Sequence, residues 1–402
     1  MSTETSVLTP SAAVRRGVSR QALLILALYS LAHFSIDLYS GAIGVLQPLL
    51  ISKLSLTLTQ AGLLGGVLAF SSSVTQPLYG YLSDRYRSRL FSCLAPAVAA
   101  VFICALAVAP SYGAGLLMAV LGGTGVSAFH PQGSSWAAAA FRTHRAKWMA
   151  VFISSGTLGI ALSPALFSQW IVRLGFDTLL WAALPGVAVS LVMLGAVRPP
   201  HEISTAPVRP GFDWAPLRAV WRPLSILYGT VFVRSAVQVT YAQFLALYLH
   251  RERGYRLEDA ALALTLYLTA GAVGGFVGGP LSDRFGLRRV IMLSFALSVP
   301  FILVFFITDS PAGILSLAAG GMILLFTIPV NVTAAQDLVP HQGAVVSALM
   351  MGFAWGTAGM IFIPLTGWFA ELTSLHAAMA ALLVFPVIGF VLTRRLPKEF
   401  GR

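Results

Sequence analysis

The sequence predicts an all-α membrane protein, with twelve transmembrane helices in two pseudo-symmetric six-helix bundles. Three observations lead there. Hydrophobic residues make up 57% of the 402-residue chain and charged residues only 10%, against roughly 45–50% and roughly 25% in a soluble domain. The apolar residues come in blocks separated by short charged punctuation, and about 20 apolar residues let an α-helix cross a bilayer. The halves also repeat one another. Ser83-Asp84-Arg85-Tyr86 returns as Ser282-Asp283-Arg284-Phe285 at an offset of 199, and Gly156-Thr157-x-Gly159-x4-Pro164 returns as Gly356-Thr357-x-Gly359-x4-Pro364 at an offset of 200.

Apolar blocks between breakers place spans at 21–50, 60–82, 90–109, 112–140, 148–173 and 176–197, then at 221–249, 259–281, 289–308, 312–336, 343–371 and 375–396. The intervening stretch 198–220, rich in Pro, Arg and small polar residues, reads as a cytoplasmic linker between an N-terminal bundle (1–197) and a C-terminal bundle (221–402). Each half holds an even number of spans, so the halves share one orientation and are related by an axis along the membrane normal. The positive-inside tendency sets that orientation. With both termini inside, 20 of the 26 Lys and Arg residues lie in inside segments and five outside, leaving Arg234 within a span. The expected location is a bacterial inner membrane, multi-pass, with both termini cytoplasmic.

Several classes fall away. The net charge of +12 is scattered in small clusters rather than gathered on a face or tail, so no nucleic-acid partner is expected. Arg15, Arg16 and Arg20 precede an apolar run that continues to Leu50, longer than the apolar part of a signal peptide, so it reads as a retained first helix. Cys93 and Cys104 share one predicted helix, roughly 16 Å apart and too distant for a disulfide. No catalytic motif and no phosphate-binding Gly-x4-Gly-Lys-Ser/Thr loop occurs, so neither an enzyme, a cofactor nor ATP drive is expected.

Polar residues inside spans are expensive and therefore informative. His33 and Asp37 stand four apart on the first helix and share a face. Asp37 is the one acidic residue well inside a span; at that depth the neutral carboxyl is favoured, the property a proton carrier needs. The alternative is an Asp that only ties helices together. Arg234 and Gln238 lie at the repeat-equivalent places on the seventh helix, at an offset of 201. Arg234 either pairs with Asp37 across the halves or grips an anionic substrate with its planar fork, with Tyr241 and Gln243 further along the same helix adding hydrogen bonds. His130, in Phe129-His130-Pro131-Gln132-Gly133 on the fourth helix, can shuttle protons or bind a metal, or simply pack. No Met-x3-Met and no His-rich loop is present, and no metal is assigned.

Gly279-Pro280-Leu281-Ser282-Asp283-Arg284-Phe285-Gly286-Leu287-Arg288-Arg289 resembles the loop signature of the major facilitator superfamily. The first copy keeps Gly80, Asp84, Arg85 and Arg89 but has Arg87 where the second glycine stands. A carboxylate beside guanidinium groups at a helix end makes charge-assisted contacts. Gly80, Asp84, Arg85, Arg89, Gly279, Asp283, Arg284 and Arg288 are thus candidates for a latch between conformations, or for charges that fix topology. The repeated Gly156, Gly159, Pro164 and Gly356, Gly359, Pro364 resemble the antiporter signature of drug exporters. Here, however, Ser163 and Ile363 precede the prolines where that signature has glycine. They suit gating or close helix packing.

Ala32-His33-Phe34-Ser35-Ile36-Asp37-Leu38-Tyr39-Ser40-Gly41, Phe129-His130-Pro131 and Val233-Arg234-Ser235 resemble the fosmidomycin-resistance-protein branch of that superfamily. The resemblance implies a proton-driven exporter of a small, often anionic, compound, with Asp37 carrying the proton, His33 and His130 relaying it, and Arg234, Gln238 and Gln132 at the substrate. Many relatives have Glu where this chain has Gln132, so a relay through that Glu would have to use other groups here. An importer or facilitator of a metabolite is the alternative on the same scaffold, and a non-transporting receptor a remote one. By analogy with the architecture, a monomer is expected.

Overall fold

The computed structural model describes residues 19–86, 88–141, 145–197 and 215–397. Every regular element among them is helical. Ten helices are long and apolar enough to cross a membrane: α1 (Arg20–Leu54), α3 (Leu90–Val108), α4 (Tyr112–Ala139), α5 (Lys147–Leu174), α6 (Phe176–Ala196), α8 (Leu257–Phe285), α9 (Leu287–Ile307), α10 (Pro311–Leu338), α11 (Val345–Leu372) and α12 (Leu375–Arg394). Two stretches complete the twelve, at the places predicted for the second and seventh spans. They are α2, formed by Leu58–Ser73 and Gln76–Tyr86, and α7, Trp221–Arg251. Both depart from a plain apolar span for a chemical reason. α2 is interrupted at Val74 and Thr75, just before Pro77, whose ring nitrogen cannot donate to the carbonyl four residues back. α7 is continuous but carries Arg222, Arg234, Gln238 and Gln243.

Local chemistry sets the turn between α1 and α2. Ser55 closes α1 in the left-handed conformation at φ 51°. Thr57 then caps α2 in a reciprocal box, its hydroxyl accepting from the Gln60 N–H at 3.2 Å while the Gln60 side chain accepts from the Thr57 N–H at 3.0 Å, satisfying donors a helix start leaves free.

The packing repeats as the sequence does. In the first half α1 packs on α5, α3 on α4 and α6, and α2 on α4; in the second α7 packs on α11, α9 on α10 and α12, and α8 on α10. The halves meet along α2 with α11, α5 with α8, and the far segment of α1 with α7. At the end of the molecule opposite Arg20 and Arg394 these seams are backbone against backbone. A methyl on Gly44 would strike the Ala242 carbonyl, and one on Gly367 the Leu58 carbonyl. One on Gly62 would come within 2.8 Å of the Ile363 oxygen and 2.9 Å of Pro364 Cα. Small residues are what let helices approach so closely. Glu371, at the end of α11, adds a clasp: its carboxylate accepts the Thr59 N–H at 2.6 Å, a negative charge on the N-terminus of α2, where the helix dipole favours it.

Candidate functional site

Three side chains from two helices meet beside α5. Asp37 Oδ2 is 3.3 Å from His33 Nε2, and Asp37 Oδ1 is 3.6 Å from His130 Nε2. Pro131, inside the continuous helix α4, follows His130, and the other ring nitrogens fix both imidazoles. His33 Nδ1 lies 2.8 Å from the Phe152 carbonyl and His130 Nδ1 2.8 Å from the Val126 carbonyl. A carbonyl has no proton to give, so each Nδ1 must be the donor. Each neutral imidazole therefore points the lone pair of Nε2 at Asp37. His33 is held further by stacking on Phe152, with ring centroids 4.4 Å apart. Gly156 of α5 makes the room, since a methyl there would collide with His33 Nε2 and come up against Asp37 Oδ2. The site thus converges two imidazole lone pairs on one carboxylate, and a proton held there turns lone-pair repulsion into a hydrogen bond. His33 and Asp37 are buried, whereas 28% of the His130 side chain is exposed, so His130 is the member solvent reaches.

The second centre lies on α7 and is built the opposite way. Arg234 is 4% exposed; its Nη1 donates to Gln238 Oε1 at 2.5 Å and its Nη2 to Ser235 Oγ at 3.0 Å. Among the described residues it has no carboxylate partner, and its Nε donates to no protein group. Tyr267 of α8 lies within electrostatic reach of the guanidinium, and its hydroxyl is likewise unpartnered. The Gln243 Nε2 and Thr240 hydroxyl are also buried and free of protein partners. Gln243 reaches across the halves to Gly65 of α2, where any larger residue would collide with it. Thr240 and Gln243 lie about 9 and 13.5 Å further along α7, so Ser235, Gln238 and Tyr267 are the groups beside the guanidinium; a buried, uncompensated guanidinium suits an anion.

The structure reassigns several residues. The salt bridge between Asp37 and Arg234 is not formed, because each is engaged within its own half. Gln132 faces away from both centres: its Oε1 accepts from the Ser92 N–H at 2.8 Å, and its Nε2 donates to Ser83 Oγ at 2.7 Å and the Ser88 carbonyl at 2.8 Å. With every group used, it ties α4 to the start of α3 and has nothing left for a substrate. Tyr241 is turned into its own half, its hydroxyl donating to the Met379 carbonyl at 3.1 Å. Arg89 and Arg288 clamp helix ends inside their own halves, Arg89 donating to the Val197 carbonyl after α6 and Arg288 to the Leu396 and Arg394 carbonyls after α12. Asp283, Arg284 and Arg85 are exposed. Among the described residues Asp283 and Arg284 form no ion pair, and Arg284 rests only on the Phe285 ring. Gly80 faces Pro131 of α4, and a methyl on Gly279 would meet nothing. The Asp84 side chain and Arg87 lie outside the described residues.

The repeated glycines work differently in the two halves. Gly159 lies against the backbone of Phe34 and Leu38, so the first copy seats α5 on α1 beside the site. Gly356 and Gly359 face Ser73, Val74 and Ala69 of α2, so the second copy lies on the seam between halves. Ser235, part of the Val233-Arg234-Ser235 stretch, sits next to Arg234, whereas nothing in the sequence points to Tyr267 or Glu371, which only three-dimensional packing brings into play.

The Major Facilitator Superfamily model matches residues 29–262 and 227–400 of the chain. The chain is 30% identical to the fosmidomycin resistance protein of Escherichia coli (strain K12), over 94% of each chain. It is 28% identical to a probable nitrate/nitrite antiporter of Thermus thermophilus, over 63% of this chain and 60% of that one. Among solved structures it resembles a bacterial homologue of the human lysosomal transporter Spinster, in an inward-facing and occupied conformation. There the TM-score is 0.79, with 18% identity and coverage of 94% of this chain and 97% of that one. The chain belongs to the major facilitator superfamily, whose members are multi-pass membrane transporters and not enzymes.

Proposed function

We propose that this transporter couples the export of a small organic anion, fosmidomycin among the candidates, to proton entry by alternating access. The observation that carries the reading is the separation of two buried centres of opposite chemistry: acceptors converging at His33, Asp37 and His130, and uncompensated donors at Arg234. The relative named for fosmidomycin resistance supports export, and the nitrate/nitrite antiporter supports an anion.

In this reading Asp37 holds the proton, His33 positions it and the part-exposed His130 passes it to solvent. Arg234, Gln238 and Ser235 grip the anion, with Gln243 and Tyr267 as further donors. Because Asp37 and Arg234 are not paired, exchange does not run through a shared salt bridge. It runs through the rocking of the halves, which takes place with either the proton or the anion aboard. Residues 198–220 join the two bundles, and both termini lie in the cytoplasm of a bacterium, with the protein in its inner membrane as a monomer. The end where the halves meet backbone against backbone then faces outward. Asp84, Arg85, Asp283 and Arg284 form the latch that closes the cytoplasmic end when the halves rock.

Reconstitution into proteoliposomes with an imposed pH gradient tests this. Labelled fosmidomycin and other organic anions are expected to accumulate with the native protein. With Asp37→Asn, accumulation should vanish while exchange without a gradient survives. Accumulation against a gradient by the Asn variant would make Asp37 structural and end the proton reading.

A further inference from the structure

We propose that His33, Asp37 and His130 form a binding site for a borderline divalent metal ion of the zinc type. Spacing along the chain does not reveal it, because His130 lies 93 residues beyond Asp37 and no His-rich loop is present. The fold supplies the juxtaposition. The two Nε2 atoms and a carboxylate oxygen all lie within 4.8 Å of one another, with individual separations to Asp37 of 3.3 and 3.6 Å. A tetrahedral zinc ion with bonds of roughly 2.0–2.1 Å holds its ligand atoms about 3.3 Å apart, so one pair already has the required spacing. Closing the rest takes a shift of up to about 1.5 Å by His130.

The rings are prepared for it. A histidine that binds a metal through Nε2 donates its Nδ1 proton to a carbonyl or carboxylate, which fixes tautomer and orientation. Both histidines do so here, to Phe152 and Val126 at 2.8 Å each. The rings meet edge to face, with centroids 5.1 Å apart and planes at 89°, and both Nε2 atoms are directed at Asp37. Two imidazoles and one carboxylate suit Zn(II), Co(II) or Ni(II). Calcium and magnesium prefer all-oxygen sites and Cu(I) prefers sulfur. The exposed part of His130 gives an entry path.

Metal binding goes beyond proton coupling, and it is measured without a gradient or a solute, so either reading can fail alone. The probe is Co(II), titrated into the purified full chain in detergent. The native protein should develop the visible absorption of four-coordinate Co(II) at one ion per chain and lose it to Zn(II). His33→Gln and His130→Gln, checked for folding by thermal melting, should bind at least about tenfold more weakly. His130→Cys should restore binding and add a thiolate-to-cobalt charge-transfer band, which a purely structural histidine would not produce. No saturable signal, equal signal in both Gln variants, or a Cys variant without the band would each overturn the proposal; equal signal in the Gln variants would assign binding to other histidines.

Discussion

The first and seventh helices occupy equivalent places in the repeat and carry opposite chemistry. His33 and Asp37 on α1 correspond to Arg234 and Gln238 on α7. On α1 the buried groups are the acceptors His33 and Asp37, joined from α4 by His130, with the Nδ1 of each ring held by a carbonyl. On α7 they are donors around a guanidinium with no carboxylate partner among the described residues. In the proposed reading, one scaffold used twice offers a place for a cation in one half and for an anion in the other. Because neither centre neutralises the other, each stays available to its own ligand.

The largest effect expected from breaking this contrast is on α7. Arg234→Ala should weaken binding of labelled anion by about 100-fold or more, the loss of roughly two charge-assisted hydrogen bonds. Arg234→Lys should recover only part of it, since an ammonium lacks the planar fork. Equilibrium binding in detergent measures both. Next is Gly156→Ala, whose methyl has only the His33 and Asp37 side chains to move into. Overpacking of this kind destabilises by about 1–3 kcal/mol, read as a lower melting temperature together with lost proton-driven accumulation. Gly356→Ala should leave the proton site intact and shift the balance between conformations, because its neighbours Ser73 and Val74 belong to the other half. Spin-label distances across α2 and α11 would separate the two outcomes.

A smaller change is expected at the outer clasp. Glu371→Gln removes a charge from the α2 N-terminus and should favour opening of that end by about two- to five-fold, with the effect reduced by salt. Smallest of all is the influence of Asp37→Asn on anion affinity. If the two centres are independent, it should stay within about twofold, and its effect should add to that of Arg234→Ala in a double-mutant cycle. Strong non-additivity would mean that the two residues pair in a conformation other than this one.

Much of the architecture was legible in the sequence because a bilayer imposes length and apolarity on every span. The two helices that miss a plain apolar criterion, α2 and α7, show where that signal weakens: Pro77 interrupts one, and Arg234 with two glutamines dilutes the other. The half-sites were partly legible, since spacing of four along a helix places His33 by Asp37 and Arg234 by Gln238. What spacing cannot give is the partner from another helix. Gln132 adjoins His130 in sequence, yet α4 turns its amide toward Ser83, Ser88 and Ser92. Tyr267, from α8, approaches Arg234 only through the packing of the second half.

The closed end of the molecule is sealed by main chain on main chain at Gly44, Gly62 and Gly367. Those three contacts contain no side chain that could recognise a solute, but Gln243, next to Ala242, crosses the same seam onto Gly65. In the proposed reading gate and solute therefore share one position on α7, while the donors around Arg234 and Tyr267 can change with the backbone contacts untouched. A fold divided in this way is easy to retarget, whether by selection in a cell or by design at the bench.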